Sequence, residues 1–187
     1  MAVDTSQFRN GLKIELDGEP FTMIYFQHVK PGKGGAFVRT KIKNLKTGRV
    51  LDRTFRSGEK LEEADVAERK MQYLYQDGED LVFMDTESFE QLPFSGAQVG
   101  DARKWLKENL DVEVLFWRGQ PINLEIPSFV EYTITRCDPG LKGDTAQGAT
   151  KPATLETGAV VQVPLFVKEG ERIRVDTRSG EYIERVN

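Results

Sequence analysis

Few groups in this sequence are placed to do chemistry, and the most conspicuous is a lysine. Lys33 lies in the run Lys30-Pro31-Gly32-Lys33-Gly34-Gly35-Ala36-Phe37. Pro31 fixes φ, and three glycines permit positive φ and close approach of the backbone to another surface. The run presents one long cationic side chain with almost no bulk beside it. A solvated turn that happens to contain a lysine is the competing reading. His28 is the sole histidine and Cys137 the sole cysteine. Ser/His/Asp or Cys/His catalysis would have to use His28, and no nucleophile motif supports either. No His/Cys cluster has metal-ligand spacing, and no Walker loop or dinucleotide fingerprint occurs. Gly32-Lys33-Gly34-Gly35 lacks the following helix that a phosphate-cradling loop requires. The expectation is therefore a binding protein without catalytic residues, metal or cofactor. Cys137, between Arg136 and Asp138 at a strand end, reads as a structural thiol.

The elements around Lys33 read as strands. Phe21–Phe26 is an apolar run and Phe37–Lys43 alternates, so the loop joins two strands of a hairpin. Before it, Leu12–Leu16 and the turn Asp17-Gly18 form another hairpin. After it, Lys46-Thr47-Gly48 turns the chain into Arg49–Arg56. Residues 60–70 are charged and read as a linker or a single helical turn. Met71–Tyr75 and Leu81–Asp85 flank Asp77-Gly78, a further hairpin, and Ser88–Pro93 is a third short segment. Asp101–Leu110 has the best helical pattern, with Leu106 and Leu110 on one face beside Trp105. Strands follow at Val112–Phe116, Ile122–Ile126 and Phe129–Arg136. A polar, Gly-rich loop then runs from Asp138 to about Thr150. The last strands are Val160–Val167, Arg172–Thr177 and Tyr182–Val186. These elements predict an all-β chain of three consecutive modules, 1–64, 65–128 and 129–187, with small closed barrels as the architecture.

Composition narrows the partners. The chain has 187 residues, 39% hydrophobic and 30% charged, which suits a soluble globular protein. The net charge of −4 conceals an asymmetry. Residues 30–60 hold ten basic and two acidic side chains, a net +8, while residues 61–187 carry −10. A basic segment in an otherwise acidic chain points to a polyanion at one end, or to a solvated strand face. No apolar run approaches the ~20 residues of a membrane span. The N-terminus lacks the regions of a signal peptide, so a cytoplasmic protein with no membrane partner is expected; a monomer is the expected state. The loop from Asp138, with Gly140, Gly143, Asp144, Thr145, Gln147 and Gly148, is the second candidate site, since long loops on barrels often carry binding residues.

The stretch Lys151-Pro152-Ala153-Thr154-Leu155-Glu156-Thr157-Gly158-Ala159-Val160-Val161-Gln162-Val163-Pro164-Leu165-Phe166-Val167-Lys168-Glu169-Gly170 resembles the C-terminal signature of the bacterial elongation factor P family. Asp138–Thr145, Val175–Tyr182 and Val29–Gly34 resemble that family too, and the likeness extends over essentially the whole chain. The resemblance implies an N-terminal KOW/SH3-like barrel followed by two oligonucleotide-binding (OB-fold) barrels, in an L-shaped, tRNA-like arrangement. The hypusine-containing relatives of eukaryotes and archaea lack the third module. The resemblance further implies a translation factor that binds both ribosomal subunits between the peptidyl-tRNA and exit sites. There it relieves stalling at consecutive prolines by positioning the peptidyl-tRNA. Lys33 matches the tip that approaches the CCA end, and Lys30, Pro31, Gly32, Gly34 and Gly35 match its loop. In the family this lysine can carry a covalent extension, β-lysylation or another, added by a modifying enzyme. Arg39, Lys41 and Lys43 become candidates for facing tRNA and ribosomal RNA. Gly143, Asp144, Thr145 and Gly148 match a loop near mRNA at the exit-site codon. Tyr182 and Arg185 match a segment near tRNA or the small subunit. A paralogue of the factor, a free-standing RNA-binding protein and an RNA-directed enzyme are the alternatives.

Overall fold

The computed structural model describes residues 1–140 and 148–187. The first sheet contains β1 (Ala2–Asp4), β2 (Lys13–Leu16), β3 (Glu19–Val29), β4 (Phe37–Asn44), β5 (Val50–Arg56) and β6 (Lys60–Glu63), in the order β1-β6-β2-β3-β4-β5. The second contains β7 (Val66–Asp77), β8 (Asp80–Asp85), β9 (Gln91–Ser95), β10 (Asp111–Trp117) and β11 (Gln120–Glu125), in the order β11-β10-β7-β8-β9. The third contains β12 (Phe129–Cys137), β13 (Thr150–Leu155), β14 (Val160–Pro164), β15 (Arg172–Asp176) and β16 (Glu181–Val186), in the order β14-β13-β12-β15-β16. The all-β expectation is met. Among the described residues no helix is long and apolar enough to cross a membrane.

By packing, the chain divides into two compact units. One is Met1–Arg69 with Val114–Asn123; the other is Lys70–Glu113 with Leu124–Asn187. In the first unit the core gathers Val3, Phe8, Leu12, Ile14, Phe21, Met23, Val38, Ile42, Phe55 and Leu61. These side chains alternate with exposed ones along β4, where Val38, Thr40, Ile42 and Asn44 are buried and Arg39, Lys41 and Lys43 are exposed. Two polar residues in that buried row are satisfied locally. Thr40 donates its hydroxyl to the Arg53 carbonyl at 2.7 Å. Asn44 donates to Glu19 at 2.6 Å and accepts from the Lys46 and Thr47 amides, which fixes the turn into β5.

In the second unit, Trp105 joins the core of the third sheet, with Val130, Tyr132, Ile134, Leu155, Val161, Val163, Ile173 and Val175. Tyr132 is fully buried, and its hydroxyl donates to the Trp105 carbonyl at 2.5 Å. Burial drives the Tyr132 phenol far above its ordinary pKa.

Two local expectations are corrected. Residues 60–70 form no linker or helical turn. They form β6 and the start of β7, because β6 pairs with β1 through Val3↔Leu61 and with β2 through Ile14↔Glu63. Charged side chains here decorate a paired strand whose Leu61 is buried. Residues 101–110 form no regular helix. A single α-helical turn, α1 (Gly96–Val99), is capped by Ser95, and a 3₁₀ segment runs from Gly100 to Trp105. Leu106 then turns extended, at φ −80° and ψ 115°, which ends the helical course. Seating Trp105 in the third sheet's core outweighs the local preference; burying such a ring is worth about 2–3 kcal/mol. The third module also contains a strand, β13 at Thr150–Leu155, that the sequence reading did not place between the Gly-rich loop and Val160.

Candidate functional site

The loop that carries Lys33 sits at the end of the longest hairpin of the first sheet. β3 and β4 stay paired from Phe21↔Asn44 to Val29↔Phe37, and the seven residues 30–36 cross between them. Pro31, Gly32, Lys33, Gly34 and Gly35 are all exposed, as is Lys30. Gly34 takes φ +103°, in a region that side-chain-bearing residues rarely adopt. A Cβ at Gly32, Gly34 or Gly35 would meet nothing within 4 Å. Gly34 therefore serves backbone conformation, and all three glycines leave the tip bare. The Ala36 carbonyl accepts from the Ser57 amide at 3.0 Å, which ties the loop's C-terminal foot to the end of β5. His28 is exposed near the N-terminal foot, edge-on to Phe26 at 5.9 Å. Among the described residues no hydrogen bond or ion pair holds the Lys33 ammonium.

Below the tip, the outer face of β3–β4–β5 is cationic. Arg39, Lys41 and Lys43 project from alternate positions of β4, roughly 6.8 Å apart along the strand. Opposite them on β3 lie Gln27, Tyr25 and Thr22; on β5 lie Thr54, Asp52 and Val50. The structure thus brings the basic candidates onto one face leading to the tip. The sequence reading missed Tyr25, which is exposed at 45% and donates its hydroxyl to Gln27 Oε1 at 3.2 Å. Phe21–Phe26 reads as one apolar run, but a register shift between Met23 and Tyr25 turns Ile24 and Tyr25 outward. Only the irregular alternation of that run could have signalled it.

The second group of candidates belongs to the third sheet. Gly143, Asp144 and Thr145 lie outside the described residues. Gly148 is exposed with φ +83°. The neck of this loop is built by Lys151, which the sequence reading passed over, and by Gly140. Lys151 is buried, and its ammonium donates to the Asp138 carbonyl at 2.6 Å. Gly140 packs so closely on Leu165 that a Cβ would come within 2.7 Å of its carbonyl oxygen. Tyr182 is half-buried against the third core, and burial raises its phenol above the ordinary range. Arg185 is exposed; it lies over the Phe166 ring at 5.5 Å and pairs with Glu171 at 3.3 Å. Phe166 is itself 58% exposed, so an arginine and a ring together present a flat face.

Chemically, the first group can do two things. A bare, mobile-ended ammonium can reach into a confined space, and a row of cations can hold phosphates beside it. Neither act requires a proton to move.

Family models match nearly the whole chain. Residues 4–61 match the elongation factor P KOW-like domain, 66–124 the elongation factor P OB domain, and 130–185 the elongation factor P C-terminal domain. Among similar curated proteins, elongation factor P of Moorella thermoacetica is 56% identical over 183 residues, covering 98% of this chain and 99% of that protein. Elongation factor P of Pelotomaculum thermopropionicum is 55% identical over 184 residues, covering 98% and 100%. Among solved structures, eukaryotic translation initiation factor 5A from Methanococcus jannaschii aligns with a TM-score of 0.54 at 23% identity. It covers 67% of this chain and 92% of that one, a likeness of fold.

Proposed function

Since this chain belongs to the elongation factor P family, and is thus a translation elongation factor acting on the ribosome, we propose that it promotes peptide-bond formation at consecutive prolines by positioning the peptidyl-tRNA CCA end through the Lys33 loop. The factor binds between the peptidyl-tRNA and exit sites. One observation carries this reading: a glycine-flanked lysine, without a partner among the described residues, at the end of a two-stranded arm whose outer face bears Arg39, Lys41 and Lys43. The cations take tRNA and ribosomal RNA phosphates, and the tip reaches the reacting end.

The contribution is one of orientation. Proline is a stiff nucleophile, and holding reactants in a productive geometry lowers a barrier without acid–base work. The glycines keep the tip slim enough to enter a narrow space. Lys33 is the site of a covalent extension, β-lysylation or another, placed there by a modifying enzyme. Its exposure, and an ammonium with no hydrogen bond or ion pair among the described residues, support that assignment. At the other end of the chain, Gly148 with Gly143–Thr145 faces mRNA at the exit-site codon, and Arg185 contacts tRNA or the small subunit.

The test is in vitro translation of a Pro-Pro-Pro reporter with and without the protein, beside a Lys33→Ala variant. Wild type shortens the pause and Lys33→Ala does not. A wild type without effect defeats the functional reading and leaves a free-standing RNA-binding protein in its place. A Lys33→Ala variant as active as wild type defeats the tip assignment. Intact mass and peptide mapping of protein from its native host read the modification directly; an unmodified Lys33 there removes it.

A further inference from the structure

Trp117 and Arg118, at the turn between β10 and β11, converge on one carboxylate of the first sheet. Glu15, on β2, accepts from Trp117 Nε1 and from Arg118 Nε, each at 3.0 Å, through Oε1. Its Oε2 accepts from Arg118 Nη2 at 2.6 Å. The Trp117 ring is buried between two cations, with Lys46 Nζ 4.6 Å from its centroid and the Arg118 guanidinium carbon 4.7 Å away. The Arg118 amide donates to the Asp65 carbonyl at 3.0 Å. All these residues belong to the first compact unit, which takes in the hairpin residues 114–123 along with the tip-bearing sheet.

Two features set this apart from an ordinary surface ion pair. Glu15 is only 18% exposed, so its charge is held mainly by these donors. Arg118 takes φ +50° beside Gly119 at +76°, a turn geometry that glycine and asparagine fill more easily. An arginine there accepts local strain, and its side chain makes the bidentate contact. The Arg118 hydrogen bonds, helped by Trp117, hold the Glu15 carboxyl below its ordinary range.

We propose that Glu15 is a positioning residue, which fastens the β10–β11 hairpin to the first sheet through Trp117 and Arg118 and thereby fixes where the Lys33 loop is held while the factor acts. The proposal rests on the functional reading above only for what the tip does; the joint itself is testable without it.

The experiment has two arms, each with wild type, Glu15→Ala and Glu15→Gln, all checked for a cooperative thermal transition. In the first, nitroxides are attached at Lys33→Cys and at Gln120→Cys on the hairpin itself, both in the first compact unit, in a Cys137→Ser background, and the distance distribution is measured by pulsed dipolar spectroscopy. Glu15→Ala is expected to broaden the distribution about twofold, and Glu15→Gln, which keeps one acceptor oxygen, to broaden it less. In the second, unlabelled factor is titrated into Pro-Pro-Pro synthesis. Glu15→Ala is expected to lower the maximal rate about threefold or more while shifting the half-saturating concentration less than about twofold. An unbroadened distribution overturns the joint, and a broadened one with an unchanged maximal rate overturns the positioning role. If wild type itself gives no rescue, the functional reading falls, and the distance arm still decides the joint.

Discussion

Replacing Arg39, Lys41 and Lys43 together with alanine removes the whole exposed cationic row of β4 while leaving its buried row, Val38, Thr40, Ile42 and Asn44, intact. The fold should survive, because exposed strand positions away from the core change stability by only a few tenths of a kcal/mol. Binding should not. Each cation can meet one phosphate, and each such contact adds roughly 0.7–0.9 to the slope of log K against log salt. Three contacts make the slope shallower by about 2–3. Between 50 and 200 mM salt, wild type should therefore lose about 20- to 40-fold more affinity than the triple variant. The assay is equilibrium binding of labelled protein to ribosomes carrying peptidyl-site tRNA, measured at four or five salt concentrations. A double variant of exposed cations on the third sheet's strand end and turn, Arg136→Ala with Lys168→Ala, serves as the comparison. If the triple variant keeps the wild-type slope, the β4 face does not meet phosphates and its charge only solvates the strand.

Other outcomes follow from single contacts. Gly34→Ala meets no steric obstacle but must hold φ +103°, so it should reshape the tip and reduce rescue of a Pro-Pro-Pro reporter while costing only about 1 kcal/mol of stability in a thermal melt. Thr40→Val leaves the Arg53 carbonyl without its side-chain donor and should cost about 1–2 kcal/mol by denaturant unfolding, with no change in tip chemistry. Tyr132→Phe orphans a hydrogen bond to the Trp105 carbonyl and should cost a similar amount, about 1–2 kcal/mol. Tyr132 also sets a pH response. Its folded-state pKa lies above the unfolded value near 10, so unfolding releases a proton in alkaline solution and stability falls as pH rises past that value. Tyr132→Phe should flatten this alkaline fall in melting temperature; an equally steep fall would place its origin elsewhere.

The parts of the molecule legible in sequence are those whose signals are local. Asp17-Gly18, Thr47-Gly48 and Asp77-Gly78 mark turns by chemistry contained within two or three residues, and the hairpins around them are present. The tip is legible for the same reason, since Pro31 and the flanking glycines state their backbone preference without help from elsewhere. What failed was decided at a distance. The charged stretch at 60–70 becomes strand because β1 and β2 pair with it, partners that precede it by about fifty to sixty residues. The helical pattern at 101–110 yields because Trp105 and the carbonyl it carries are claimed by Tyr132.

The same division explains why a tip can be recognised long before what steadies it. Lys33 announces itself by absence: no bulk or acid beside it in sequence, and no partner among the described residues. Glu15 announces nothing, since a glutamate in an alternating strand is ordinary, and its partner Trp117 lies 102 residues away. Yet a bare lysine contributes to orientation only as far as the body behind it is fixed. An ammonium on a flexible stem loses entropy whenever it is placed, and a hairpin left loose against the sheet that carries it would add its own share to that cost. Contacts such as the Glu15 carboxylate under the Trp117 indole hold part of that disorder in check before the factor meets its partner. If positioning is the work done at the tip, then part of it is done at β2, by a residue that never approaches the reacting atoms.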